Sequence, residues 1–194
     1  MLSPVREQLL GILRSKALRA LDQPVRLSAG GWSSHFIDAK KGLAAWRDLR
    51  IAGQAIFEAV ENAGLRFDAA GGPTLGADAL AVGIAAASDT SWFVVRKEPK
   101  GHGTKQWIEG ARIGPAVRVL LVDDVVTTGG SILKALDIVE ETGAEVVAAV
   151  TLVDRSGLAT VRLADRGVPY FPMATYENLG IEPVTLGSVA GTAG

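Results

Sequence analysis

Between Phe67 and Phe171, short apolar runs alternate with segments of helical periodicity, and this alternation limits the fold more than any other feature. Phe67–Ala70, Trp92–Val95, Val117–Val122, Glu145–Val153 and Val168–Phe171 are strand candidates, each too short for a buried helix. Ala77–Ala87, Ser131–Glu141 and Ser156–Asp165 are the helices expected between them. The runs are apolar on both faces, as strands covered on both sides must be. The pattern predicts an α/β fold with a mostly parallel central sheet flanked by helices. In such sheets ligands bind beyond the carboxyl ends of the strands. Chemistry should therefore follow Ala70, Val95, Val122 and Val153.

The segment before this alternation reads differently. Ser3-Pro4 is an N-cap followed by proline at the first helical position, and apolar spacing carries the predicted helix from Val5 to Leu21. Gln23–Asp38 reads as short extended pieces around the turn Ser28–Gly31, and a second long helix is expected over Leu43–Ala63. With 194 residues and no internal repeat, the whole chain is expected to form one domain, 1–194. Residues 1–40 make its N-terminal helix and flanking segment, and residues 187–194 a frayed tail.

The most specific string is Val119-Leu120-Leu121-Val122-Asp123-Asp124-Val125-Val126-Thr127-Thr128-Gly129-Gly130-Ser131, an apolar strand running through two acids into a turn and then a helix. Glycines let backbone N–H groups crowd an anion, hydroxyls add donors, and the helix N-terminus adds partial positive charge. Adjacent carboxylates, by contrast, repel phosphate and accept bonds from hydroxyls. A sugar phosphate satisfies both halves. The lysine of a P-loop is absent.

A second string, Arg96-Lys97-Glu98-Pro99-Lys100-Gly101-His102-Gly103-Thr104-Lys105, follows the strand candidate Trp92–Val95. It holds a net +3 in a chain of net −1. Pro99, Gly101 and Gly103 point to a long loop reaching Glu109, able to open and close. Such cations suit a leaving group that gathers negative charge, and His102 adds a donor that titrates near neutrality.

The string through Asp123-Asp124 resembles the phosphoribosyl pyrophosphate (PRPP) motif of type I phosphoribosyltransferases, and Arg-Lys-x-x-Lys-x-His-Gly resembles the catalytic loop of the orotate phosphoribosyltransferases among them. The resemblance implies transfer of the 5-phosphoribosyl group from PRPP to orotate in pyrimidine synthesis. It implies that Asp123 and Asp124 hold the ribose hydroxyls, Asp124 counting with the catalytic set. Val125, Val126, Thr127, Thr128, Gly129, Gly130 and Ser131 hold the 5-phosphate. Arg96, Lys97, Lys100 and His102 serve the pyrophosphate, part of this loop closing over the neighbouring subunit of a homodimer. Thr127 and Arg155 bind orotate, Arg155 because a guanidinium pairs bidentately with the carboxylate that sets orotate apart from most bases.

Gly71-Gly72-Pro73-Thr74-Leu75-Gly76 resembles the pyrophosphate turn, with Thr74 and Leu75 as PRPP contacts and Leu75 where many members carry lysine. The segment Leu27–Asp38 resembles the hood over the base, with Ser28 and His35 departing from the usual lysine and aromatic. The implied cofactor is Mg²⁺, held through PRPP and water with no direct protein ligand.

Composition removes other classes. There is no cysteine for disulfides, thiolate metal sites or a thiol nucleophile. Outside the basic stretch, 16 Lys and Arg stand against 20 acids, which disfavours a PRPP-sensing regulator that binds nucleic acid. No run suits a membrane span, so a cytoplasmic location is expected by default. A phosphoribosyltransferase for another base, such as a purine, is the alternative that Arg155 argues against. The four tryptophans are expected as packing residues.

Overall fold

The computed structural model describes residues 2–27, 30–100 and 106–184. The Ser3 side chain accepts from the Arg6 N–H at 3.3 Å, and Pro4 opens helix α1 (Pro4–Ile12), as predicted. The helix then widens into a π-helical turn, Leu13–Ala17, and stops. The helix predicted through Leu21 is thus too long, because strand β1 (Leu18–Arg26) begins at Leu18. Pro24 can neither continue a helix nor leave its predecessor helical. β1 pairs antiparallel with β2 (Trp32–Ile37), so the extended pieces form a two-stranded hairpin. Asp38 caps the short helix α2 (Ala39–Gly42) by accepting from the Lys41 N–H at 3.0 Å. Helix α3 (Trp46–Asn62) follows, starting three residues later than predicted and burying Ala52, Ile56 and Val60.

The alternation then appears in full. β3 (Ala69–Pro73), α4 (Asp78–Ser88), β4 (Ser91–Lys100), β5 (Gln106–Gly110), β6 (Arg118–Val126), α5 (Gly130–Glu140), β7 (Glu145–Asp154), α6 (Leu158–Ala164), β8 (Tyr170–Thr175) and α7 (Tyr176–Leu179) follow in order. The sheet runs β5-β4-β3-β6-β7-β8, parallel except for β5 at one edge.

Strand alternation divides the core into two layers. Leu120 and Val122 of β6 pack with Leu9, Ile56 and Leu80 from α1, α3 and α4. Val119 and Leu121 pack on the other face with Ile132 and Leu136 from α5 and Leu163 from α6. From the central pair β3–β6 the chain winds outward in both directions, and a crevice opens at their carboxyl ends, the position where open α/β sheets bind ligands.

The stretch Arg96–Glu109, expected as a long loop, is strand where it is described: β4 continues to Lys100 and pairs antiparallel with β5, Val95 opposite Ile108 and Lys100 opposite Gln106. The ladder slips between Val95 and Lys100, so Pro99, which has no N–H to give, lies where pairing is interrupted. The tryptophans do not serve mainly as core. Trp32, Trp46 and Trp92 are exposed, and Trp107 is half-buried beneath the Lys134 ammonium, 5.3 Å from the ring centre. His102, Ser28 and the tail 187–194 lie outside the described residues.

Candidate active site

β6 carries its acidic residues further into the sheet than predicted, with Asp123 opposite Thr151 and Val125 opposite Val153 on β7. The Asp124 N–H donates to Asp123 Oδ1 at 2.9 Å, and the Val125 N–H to Asp124 Oδ1 at 2.7 Å. These local bonds aim both carboxyls at the turn after β3. A Cβ on Gly76 would lie 2.5 Å from Asp123 Oδ1 and 2.6 Å from Asp124 Oδ1, so a side chain there would push the two carboxyls out of place. Burial, reinforced by the charge of Asp124, pushes the Asp123 carboxyl up to about 8. Burial and the neighbouring charge thus favour the neutral form of Asp123. Lys40 of α2 donates to Asp124 Oδ2 at 3.0 Å, and this bond holds the lysine above its ordinary range.

The turn after β6 lines a cavity of about 380 Å³ with Asp123, Val125, Val126, Thr127, Thr128, Gly129, Gly130 and Ser131. Gly129 precedes α5 at φ +73°, a left-handed conformation that side chains resist. The carbonyls of Thr127 and Thr128 are taken by Ser156 Oγ at 2.5 Å and Arg162 Nη1 at 2.7 Å. With those acceptors engaged, the helix N-terminus and the hydroxyls give the cavity a donor character suited to an anion.

Across the crevice, Thr74 Oγ1 donates to Asp78 Oδ2 at 2.8 Å, and Leu75 stands 66% exposed. Thr74, Arg96, Lys97, Ser131 and Lys134 share a second cavity of about 290 Å³. On the basic hairpin, Arg96 is turned inward, donating to Glu109 Oε1 at 2.6 Å and to the Glu98 carbonyl at 3.1 Å. Lys97 and Lys100 are exposed.

At the end of β7, Arg155 is only 3% exposed. Its Nη2 donates to Ser33 Oγ at 2.6 Å and to the His35 carbonyl at 2.9 Å, both on β2. Its Nε is buried with no partner among the described residues. Burial without an anion lowers the affinity of this guanidinium for its proton. Thr127, also buried, directly follows the neighbouring strand β6. Asp154 does not pair with Arg155. It accepts from the N–H groups of Ser156 and Gly157 ahead of α6, at 3.1 and 2.9 Å.

The crevice thus joins the acidic pair, the turn after β6, Thr74-Leu75 and Arg155, with the basic hairpin beside it. Sequence reasoning missed Lys40, whose partner lies 84 residues away. It also missed Ser33, Ser156 and Arg162, which hold other site groups in place. Only Ser156 had a signal, its place directly after Arg155.

Residues 45–166 match the phosphoribosyl transferase domain. The orotate phosphoribosyltransferase of Aquifex aeolicus is 42% identical over 147 residues, 73% of this chain and 79% of that one. That of Thermosynechococcus vestitus is 36% identical over 173 residues, 87% of this chain and 89% of its own. Among solved structures, the Mycobacterium tuberculosis orotate phosphoribosyltransferase in complex with PRPP superposes with a TM-score of 0.75 at 31% identity. It covers 91% of this chain and 99% of that one.

Proposed function

This chain belongs to the phosphoribosyl transferase family, and from that premise we propose how its site works. The chain is an orotate phosphoribosyltransferase, moving the 5-phosphoribosyl group of PRPP to orotate and releasing pyrophosphate and orotidine 5′-monophosphate, a step of pyrimidine synthesis. The observation that carries the choice of base is Arg155. A buried guanidinium with an unpartnered Nε calls for an anion, and the orotate carboxylate supplies one. Ser33 and His35 take the Nη2 hydrogens in the free protein, so a carboxylate that bridges Nε and Nη2 takes the place of one of them, and Thr127 follows the strand paired with β7.

Asp123 and Asp124 accept the ribose hydroxyls. Val125 to Ser131 wrap the 5-phosphate with donors from the turn and the α5 N-terminus. As the ribose–pyrophosphate bond breaks and the base nitrogen takes the sugar carbon, charge gathers on the departing pyrophosphate. Thr74 and Leu75 meet it from the β3 turn, while Arg96, Lys97, Lys100 and His102 answer with positive charge. The hairpin carries Lys100 about 16 Å past Val95 at ~3.3 Å per residue. That projection supports a homodimer in which part of the hairpin serves the partner's site. For Arg96 to take part, its bond to Glu109 must open.

The site's chemistry fits Mg²⁺. Asp123 and Asp124 offer hard carboxylate oxygens, and among the described residues no third His or acid joins them in a metal-binding cluster. They would hold an ion that arrives on PRPP, through water, and the ion would neutralise charge on the pyrophosphate. No described helix is long and apolar enough to cross a membrane, and we place the reaction in the cytoplasm.

The test incubates the protein with PRPP, Mg²⁺ and each of orotate, adenine, guanine and hypoxanthine, and measures pyrophosphate release. Orotate alone should support turnover. Release with hypoxanthine and none with orotate would defeat the assignment.

A further inference from the structure

The turn that meets pyrophosphate on the β3 side has no cation of its own. Thr74, Leu75 and Gly76 are all neutral, and the Leu75 side chain stands out in solvent. Arg96, Lys97 and Lys134 share a cavity with Thr74 on one side, and on the other side positive charge comes from a distant segment. Lys40, on the four-residue helix that follows the β1–β2 hairpin, places its ammonium 3.0 Å from Asp124 Oδ2. The other oxygen of that carboxyl accepts from the Val125 N–H and faces Gly76. One carboxyl group therefore separates Lys40 from the neutral turn.

The contact is a poor candidate for a folding device. The lysine side chain is 59% exposed, and ion pairs in that setting contribute little to stability. Its partner, moreover, is the carboxylate required by the ribose. Hydroxyls donating to Asp124 compete for the lone pairs that Lys40 occupies. Binding of the sugar thus frees an ammonium beside a ligand with several negative charges.

We propose that Lys40 is a PRPP-binding residue of this enzyme, held on Asp124 in the free protein and transferred to the pyrophosphate side of PRPP when the ribose takes Asp124. This rests on the reading of the crevice as a PRPP site. Lys40 supplies from the hood side the charge that Thr74-Leu75-Gly76 lacks. A lysine suits this exchange, because its flexible stem and rotatable donors let it change partners.

The test is direct binding of PRPP, and separately of inorganic pyrophosphate, to the parent, Lys40→Met and Lys40→Arg proteins with Mg²⁺ present. Loss of a charged hydrogen bond should weaken both ligands about tenfold or more in Lys40→Met. Lys40→Arg should recover most of that loss. The KM for PRPP should rise while the KM for orotate holds, and the ligand-free Tm should stay within about 2 °C, as expected for an exposed pair. A merely structural lysine would lower Tm without this split. Lys40→Met binding both ligands as the parent does overturns the proposal. So does tighter binding, which would mean that Lys40 only obstructs Asp124, and so does a parent that fails to bind PRPP. Orotate turnover by the parent tests the assigned reaction separately. A parent that binds PRPP through Lys40 yet ignores orotate would sink the choice of base and leave Lys40 standing.

Discussion

At the amino end of β6, Arg118 grips Asp68 with side-chain bonds of 2.7 and 3.1 Å and a backbone N–H at 2.9 Å. At the carboxyl end of the same strand, Asp123 and Asp124 lie beside each other, with the Lys40 ammonium bonded to Asp124. The Arg118 hydrogen bonds hold the Asp68 carboxyl down at about 2, whereas burial and Asp124 push Asp123 up to about 8. One acid has its donors within the chain and has little left to offer. Asp123 has no cation bonded to it among the described residues and Asp124 has one exposed lysine, so both can still accept the hydroxyl donors that a ribose diol brings. The strand end that is electrostatically worse off in the free protein is the one fitted for a ligand.

The largest effect should come from removing that readiness. Asp124→Asn keeps the shape but replaces a charged acceptor by a neutral amide. A charged hydrogen bond is worth about 1.5–3 kcal/mol, so kcat/KM for PRPP should fall by roughly 10- to 150-fold. Steady-state kinetics with saturating orotate would measure it, and a loss below threefold would separate the acidic pair from the sugar.

A smaller effect, of opposite sign in stability, is expected for Asp123→Asn. A carboxyl whose folded pKa lies above its unfolded value contributes stability that is present below the unfolded value, near 3.8. That contribution is lost as pH rises through about 8. Asparagine cannot ionise and escapes the loss. The ligand-free variant should therefore melt above the parent at pH 9 and converge on it near pH 4, although its turnover is poorer. Parallel melting curves over that range would show that Asp123 is not held protonated.

The layered sheet was legible because strands buried on both faces leave continuous apolar runs, as Val119–Val122 and Glu145–Val153 do. The acidic pair and the turn after it were legible because one contiguous segment carries them. The pairing of β4 with β5 was not. The proline and glycines of Arg96–Glu109 speak for a loop, and the ladder between Val95 and Ile108 depends on partners that local propensity does not reveal. The overlong first helix has the same origin, since Leu21 keeps helical spacing while the pairing of β1 with β2 decides the outcome. Lys40, Ser33 and Arg162 were hidden for a different reason. Each acts on a residue far along the chain, and lysine, serine and arginine are ordinary surface residues until the fold chooses their partners.

The smallest effect should come from the amino end of β6, where Asp68→Asn tests the other half of the comparison. Here the folded pKa is depressed, so the contribution is present above the unfolded value near 3.8 and lost as pH falls through about 2. Both side chains are 44% exposed, and water screens the pair. The variant should melt only about 1–3 °C below the parent at pH 7, and converge on it in acid. Its turnover should match the parent's, because Asp68 lies at the opposite end of the sheet from the crevice. If Asp68→Asn instead lowered kcat/KM as Asp124→Asn does, the two ends of β6 would be mechanically linked, and the division between a satisfied end and a receptive end would fail.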